Sequence, residues 1–172
     1  YQKNLHFYAS LIQQRSENSH KGDFGHLVCK GGSPGMSGAI ALCAKAGLRT
    51  GCGLVTIHTE EDLIPLIAPY IPEAMFNVSV GGSHSTYRYI DAVVMGPGTT
   101  APISGAWGIE EFGETDPGYD EEIIWRNPEK DFYPILFDAG AIQHLSNAYD
   151  NDGLNEVEAS VWRSFYHQVV IT

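Results

Sequence analysis

Basic residues are scarce: 10 Lys and Arg stand against 21 Asp and Glu, a formal net charge of −11. A nucleic-acid or anionic-membrane partner needs a positive face, so this balance argues against both. It leaves open a phosphorylated small molecule, because backbone N–H groups hold phosphate without a basic patch. No Lys or Arg occurs between Arg88 and Arg126, while Glu110, Glu111, Glu114, Asp116, Asp120, Glu121 and Glu122 crowd that stretch. The acidic segment at about 108–122 reads as a solvated insertion rather than a metal or partner site. Cysteine is sparse too. Cys29, Cys43 and Cys52 form no CxxC pair and leave an odd count in apolar, Gly-rich surroundings. They predict buried free thiols in a reducing, cytoplasmic compartment. No uninterrupted apolar run has membrane length, and no leader with a charged start and an apolar middle is present. His58, His84 and His144 share no ligand spacing, so no metal site is expected from them. Two phosphate signatures are also missing, the dinucleotide GxGxxG and the P-loop ending in GK[ST].

What is present fits one globular domain with a sizeable core: 172 residues, 43% apolar and 18% charged. Of the 19 glycines, many sit in short clusters at 31–38, 51–53 and 96–98, a pattern of turns that bring backbone close to something. Residues 1–15 have the spacing of a short helix, and the polar stretch 16–20 reads as a linker into a domain covering 20–172. Leu27-Val28-Cys29 reads as a strand. Residues 39–49 then read as a helix with Ala39, Leu42, Cys43 and Ala46 on one face, ended by Gly51. Leu54-Val55-Thr56-Ile57 follows as a second strand, which makes a βαβ unit with a parallel, right-handed crossover. Three further apolar runs, 91–95, 135–137 and 169–171, read as strands. Residues 60–68, 103–109 and 154–166 supply helices between them. Such alternation predicts an α/β domain whose mostly parallel sheet is covered on both faces. The chain stops at the carboxyl end of a central-looking strand with no helix returning over it. The domain is therefore expected to continue past Thr172, or to be completed by another chain. The absence of an initial Met likewise predicts a processed, trimmed or domain-boundary start.

In open parallel sheets ligands bind outside the carboxyl ends of the strands. Those ends carry the loop Gly31-Gly32-Ser33-Pro34-Gly35-Met36-Ser37-Gly38, the turn Gly96-Pro97-Gly98 and Asp138. Gly32, Gly35 and Gly38 recur every third residue just before a helix, whose first N–H groups suit an anionic or hydroxyl group. Pattern alone leaves a tight strand–helix turn without a ligand equally open.

The ordered set of segments resembles the NAD(P)H-hydrate dehydratase family, a carbohydrate-kinase-related branch of the ribokinase-like superfamily. The resemblance rests on His20-Lys21-Gly22-Asp23-Phe24-Gly25-His26-Leu27-Val28, then on Gly31 through Ala39, then on Leu48-Arg49-Thr50-Gly51-Cys52-Gly53-Leu54-Val55-Thr56. Pro72-Glu73-Ala74-Met75 and Asp91-Ala92-Val93-Val94-Met95-Gly96-Pro97-Gly98 complete it in the family's order and spacing. It implies a ribokinase-like three-layer α/β/α sandwich, of which this chain holds the N-terminal part. It further implies a lyase in nicotinamide nucleotide repair. ATP or ADP phosphorylates the ring hydroxyl of hydrated NADH or NADPH, and loss of phosphate restores the conjugated ring. Mg²⁺ would neutralise the developing charge.

By position, Ala39 and Gly98 would contact the hydrated dinucleotide, with Gly35, Ser37, Gly38, Thr99 and Asp138 completing the substrate side. A homo-oligomer is expected, as is a fused or partnering epimerase domain. Lys21 and Asp23 read as a solvated surface turn. Arg49 is either a phosphate or carboxylate partner or a helix C-terminal cation. Glu73 and Met75 mark either a pocket edge or loop packing.

Departures from the family pattern fall at the crevice. The family's Gly-Pro-Gly-Leu-Gly is Gly96-Pro97-Gly98-Thr99-Thr100 here, and its Asp-Ala-Asp-Ala-Leu is Asp138-Ala139-Gly140-Ala141-Ile142. Lys30 takes a position that is normally apolar. Val169-Val170-Ile171-Thr172 resembles the strand leading into Thr-Pro-His-x-Gly-Glu. The Gly-Thr-Gly-Asp segment with the family's catalytic base would lie beyond Thr172, so this chain alone is not expected to complete the reaction. A small-molecule kinase of the same superfamily and a catalytically silent binding or assembly module are the alternatives.

Overall fold

The computed structural model describes residue 9 and residues 15–78, 90–99, 135–138, 140–142 and 170–171. Their centre is a six-stranded sheet built of β1 (His26–Lys30), β2 (Leu54–Thr59), β3 (Met75–Val78), β4 (Ala92–Met95), β5 (Ile135–Phe137) and β6 (Val170–Ile171). Every pairing is parallel, and the strand order is β3-β2-β1-β4-β5-β6. The α/β class and the parallel sheet follow the sequence reading, because short Val/Ile-rich runs ended by glycine turns suit strands buried on both faces. Among the described strands the last, Val170–Ile171, pairs with β5 at the end of the order. The chain adds strands outward from β1 in one direction and then outward from β4 in the other, which leaves the latest strand outermost.

Side chains in register share a face, so the sheet separates into two chemistries. On one face Cys29, Val55 and Ile57 meet the helix α1 (Ser37–Arg49), whose Ile40 and Ala44 are buried there with Leu63, Ile67 and Ile71. The helix lies one residue rotated from the expected face. Ala39 and Ala46 are exposed and Leu42 is 71% exposed, whereas Ile40, Cys43, Ala44 and Leu48 carry the packing. Gly47 explains the rotation. A Cβ there would lie 2.5 Å from Leu27 Cδ2, so the glycine must face the sheet to let the helix settle on β1. The residues at i, i+3, i+4, i+7 and i+8 from Ile40 follow it inward. Ile40→Ala is expected to lower unfolding free energy by roughly 2–5 kcal/mol, and Leu42→Ala by under about 0.5 kcal/mol. Denaturant titration of both variants checks the rotated face.

The single helix read over 60–68 is broken into a 3-10 turn (Glu61–Leu63), a four-residue helix α2 (Ile64–Ile67) and a second 3-10 turn (Ala68–Tyr70). Pro65 and Pro69 each remove a backbone donor and limit the run to such short pieces. Leu63, Ile67 and Ile71 nevertheless hold the four-residue spacing that buries one stripe. The helices read over 103–109 and 154–166 and the acidic segment at 108–122 lie outside the described residues. So does the helix read over 1–15, except that residue 9 is helical and Arg15 stacks its guanidinium 4.2 Å from the Phe24 ring. No described helix is long and apolar enough to cross a membrane.

Candidate functional site

The strand order reverses between β1 and β4. Chain connections leave these two neighbours in opposite directions and open a crevice beyond their carboxyl ends, the usual ligand position in open α/β sheets. Three turns close on it. Gly32 N–H donates to the Pro97 carbonyl at 2.9 Å, and Ser33 Oγ donates to the Gly98 carbonyl at 2.6 Å. Gly96 N–H donates to the Lys30 carbonyl at 3.0 Å, and Asp138 N–H to the Met95 carbonyl at 2.9 Å. Loop 31–36, turn 96–99 and the end of β5 are thereby held as one rim.

Within that rim the structure brings together Ala39 and Gly98, which lie far apart in sequence. Gly98 adopts φ 72°, and a Cβ on it would sit 3.1 Å from Ala39 Cβ and overlap the Met36 carbonyl. Ala39 is exposed, Ser37 half-buried, and nothing lies within 4 Å of where a Cβ on Gly35 or Gly38 would be. Met36 at the N-cap of α1 makes no side-chain cap hydrogen bond. The first turn of this 13-residue helix therefore presents backbone N–H groups and the positive end of its dipole over open ground. A flat or phosphorylated group resting there would meet backbone beside the exposed Met36 and Ala39 side chains.

Thr99 and Asp138 border the crevice differently. Thr99 is half-buried, and its hydroxyl donates to the Gly96 carbonyl at 2.8 Å. Gly140 lies against it so closely that any Cβ at 140 would overlap Thr99 Oγ1. The two departures from the family pattern are thus one packing arrangement: Thr99 occupies the space that an acid at 140 would need. Asp138 is half-buried at the carboxyl end of β5, where its N–H bonds the end of β4.

Other candidates sit elsewhere. Lys21 and Asp23 belong to a 3-10 turn (Lys21–Phe24) before β1, at the amino end of the sheet. There Asp23 accepts the His20 N–H at 2.9 Å and closes a capping box. Arg49 is the exposed last residue of α1, the position of a helix C-terminal cation. Glu73 is exposed in the turn before β3, and Met75 opens that strand, two strands from the switch point. Among the described residues, no three His, Cys, Asp or Glu side chains converge as metal ligands.

Two features escaped the sequence reading. Ser33 looked like a plain loop residue, yet its hydroxyl bridges loop 31–36 to Gly98. Lys30 was noted only as an irregularity, but it pairs across the sheet with His58 on the face opposite α1. Both are buried, Lys30 at 1% and His58 at 7% exposure. On the same face His26 Nε2 and Thr56 Oγ1 lie 2.7 Å apart, so the β1–β2 half of this face is polar. The signal available in sequence was the charge at position 30 opposite a histidine at the matching point of the next strand.

Burial, reinforced by the Lys30 ammonium beside it, pushes His58 down to about 3. A histidine held neutral by the fold but free to ionise when unfolded binds more protons in the unfolded state. Its contribution is whole above the ordinary histidine range near 6.5 and shrinks as pH falls toward 3. The expected slope from this group is about 1.4 kcal/mol per pH unit in that window. His58→Asn should flatten it, and denaturant titrations of both proteins at pH 7 and pH 4.5 measure the difference.

Comparison with known proteins follows this geometry. A family model described as NAD(P)H-hydrate dehydratase matches residues 27–161. The ADP-dependent (S)-NAD(P)H-hydrate dehydratase of Bacillus subtilis (strain 168) is 30% identical over 139 residues, covering 77% of this chain and 44% of that protein. The bifunctional NAD(P)H-hydrate repair enzyme Nnr of Escherichia coli (strain K12) is 32% identical over 136 residues, covering 78% of this chain and 23% of that one. The chain thus spans less than half the length of these curated relatives. The crystal structure of the ADP/ATP-dependent NAD(P)H-hydrate dehydratase from Bacillus subtilis, co-crystallised with ATP and Mg²⁺, superposes with a TM-score of 0.53 at 27% identity, over 76% of this chain and 42% of that one. A ribokinase-like superfamily protein from Enterococcus faecalis superposes with a TM-score of 0.55 at 21% identity, over 94% of this chain and 62% of that one, a likeness of fold. With the matched region spanning both crevice-forming turns, this chain belongs to the NAD(P)H-hydrate dehydratase family.

Proposed function

We propose that this chain forms the substrate-holding half of an enzyme that dehydrates hydrated NADH or NADPH with ADP or ATP as phosphoryl donor. One observation carries the reading: Ala39 and Gly98, the positions the family uses toward the dinucleotide, meet at the β1/β4 switch point. Both are small where close approach is needed, and both border the uncapped start of α1. A hydrated dinucleotide supplies what such a surface accepts, a flat ring system joined to a pyrophosphate. The chemistry asked of the whole enzyme is positioning and charge neutralisation of a phosphoryl group. This half contributes the positioning. Its residues orient the hydrated ring through Ala39 and Gly98 and offer backbone N–H groups to the phosphates.

Related proteins support the reading through their names, since the Bacillus subtilis relative is an ADP-dependent (S)-NAD(P)H-hydrate dehydratase. Bifunctional relatives named as repair enzymes favour an epimerase activity in the same assembly. Two measurements test the proposal. Calorimetric titration of the chain with hydrated NADH should show one site per chain, and plain NAD⁺ should bind at least tenfold more weakly. A version extended beyond Thr172, given hydrated NADH, Mg²⁺ and either nucleotide, should regain the absorbance of reduced nicotinamide. Absence of both binding and recovery sinks the reading.

A further inference from the structure

All three cysteines are free thiols, and two of them are placed for chemistry. Cys29 on β1 is fully buried, and Cys43 on the inner side of α1 is half-buried. Their sulfurs lie 3.8 Å apart, with the Cys43 thiol donating to Cys29 Sγ. Cys52 is turned away, bonded to the Leu54 carbonyl at 3.0 Å and the Gly25 carbonyl at 3.4 Å, at the amino end of the sheet.

We propose that Cys29 and Cys43 form an oxidation site that a peroxide converts to an intramolecular disulfide joining α1 to β1. Cys43 is the partner a small oxidant reaches, since it is not fully buried, and Cys29 lies behind it. The hydrogen bond between the two thiols holds Cys43 below its ordinary range, against burial and the Asp138 carboxylate. The same bond, together with burial, pushes Cys29 up. Their difference in exposure assigns attack to Cys43 and resolution to Cys29.

In the first step the Cys43 thiolate attacks one oxygen of hydrogen peroxide. An S–O bond forms, the O–O bond breaks, and hydroxide leaves with a proton as water. In the second, the Cys29 sulfur attacks the Cys43 sulfenic acid. An S–S bond forms, the S–O bond breaks, and a second water carries away the Cys29 proton. Two thiols lose two electrons and one peroxide becomes two waters. Closing 3.8 Å to a bonded distance of about 2.05 Å needs a movement of α1 against β1. The bridge would fix the helix one turn beyond Ala39, beneath the crevice rim.

The readout is mass, so it stands or falls separately from the dehydratase reading. The chain is treated with hydrogen peroxide in its native state, then denatured, alkylated, weighed intact and mapped after digestion. The expected product has lost two hydrogens, has Cys29 and Cys43 peptides linked, keeps Cys52 alkylated and returns to the starting mass with dithiothreitol. Cys43→Ser and Cys29→Ser each abolish the loss, and Cys52→Ser retains it. Should either serine variant fold poorly, the Cys52→Ser protein and its peptide map decide. Three alkylated cysteines after treatment, a bridge to Cys52 or to a second chain, or Cys43 halted at the sulfinic acid would each overturn the proposal.

Discussion

Gly96→Ala is expected to lower unfolding free energy by about 3 to 5 kcal/mol, enough to leave a marginal domain largely unfolded. Two penalties combine. Gly96 has φ 109°, a backbone region closed to residues with a Cβ. A methyl there would also overlap the Asp138 carbonyl and come within 2.9 Å of Ala141 Cβ. Neither neighbour is the far end of a flexible side chain, so relief requires β4 and β5 to part at the very turn that positions Asp138. Urea titration followed by circular dichroism measures the effect. A loss under about 1 kcal/mol would show that the two strand ends are less closely joined than the structure has them.

Gly98→Val is expected to abolish detectable binding of hydrated NADH, a fall of at least a hundredfold, while leaving much of the sheet intact. The valine Cβ would overlap the Met36 carbonyl and press on Ala39 from 3.1 Å. The start of α1 must then retreat, taking with it the N–H groups that the ligand would use. Gly98→Ala, with less bulk, should show a smaller fall of the same kind. The outcome to look for is a folded variant that no longer binds. A folded Gly98→Val protein that binds as well as the original would remove Gly98 from the site, whereas an unfolded one would point the question back to Gly98→Ala.

The paired departures at 99 and 140 show why a crevice is harder to read than a fold. Thr99 and Gly140 each look like an isolated loss from a family pattern when taken along the chain. In space Gly140 makes room for Thr99, whose hydroxyl in turn caps the Gly96 carbonyl. Restoring an acid at 140 alone would collide with Thr99. The helix α1 makes the same point at the level of packing. Its sequence carries apolar residues on nearly every side, so periodicity alone favoured a stripe through Ala39 and Leu42. Gly47 against Leu27 turned the helix by one residue and put Ile40 inside.

By itself, then, the sequence determined the parallel βαβ build and the positions of the glycine turns. These are local matters, set by β-branched runs, by glycines that permit positive φ, and by the spacing of segments along one chain. Tertiary structure decided the rest: the strand order that places the switch point between β1 and β4, the Ser33 bridge to Gly98, and the compensation of Thr99 by Gly140. It also decided the Lys30–His58 pairing and the approach of Cys29 to Cys43. Each joins residues distant in the chain, brought together by strand register, by α1 packing on the sheet or by turns meeting at the strand ends. No periodicity records which strand becomes the neighbour of which.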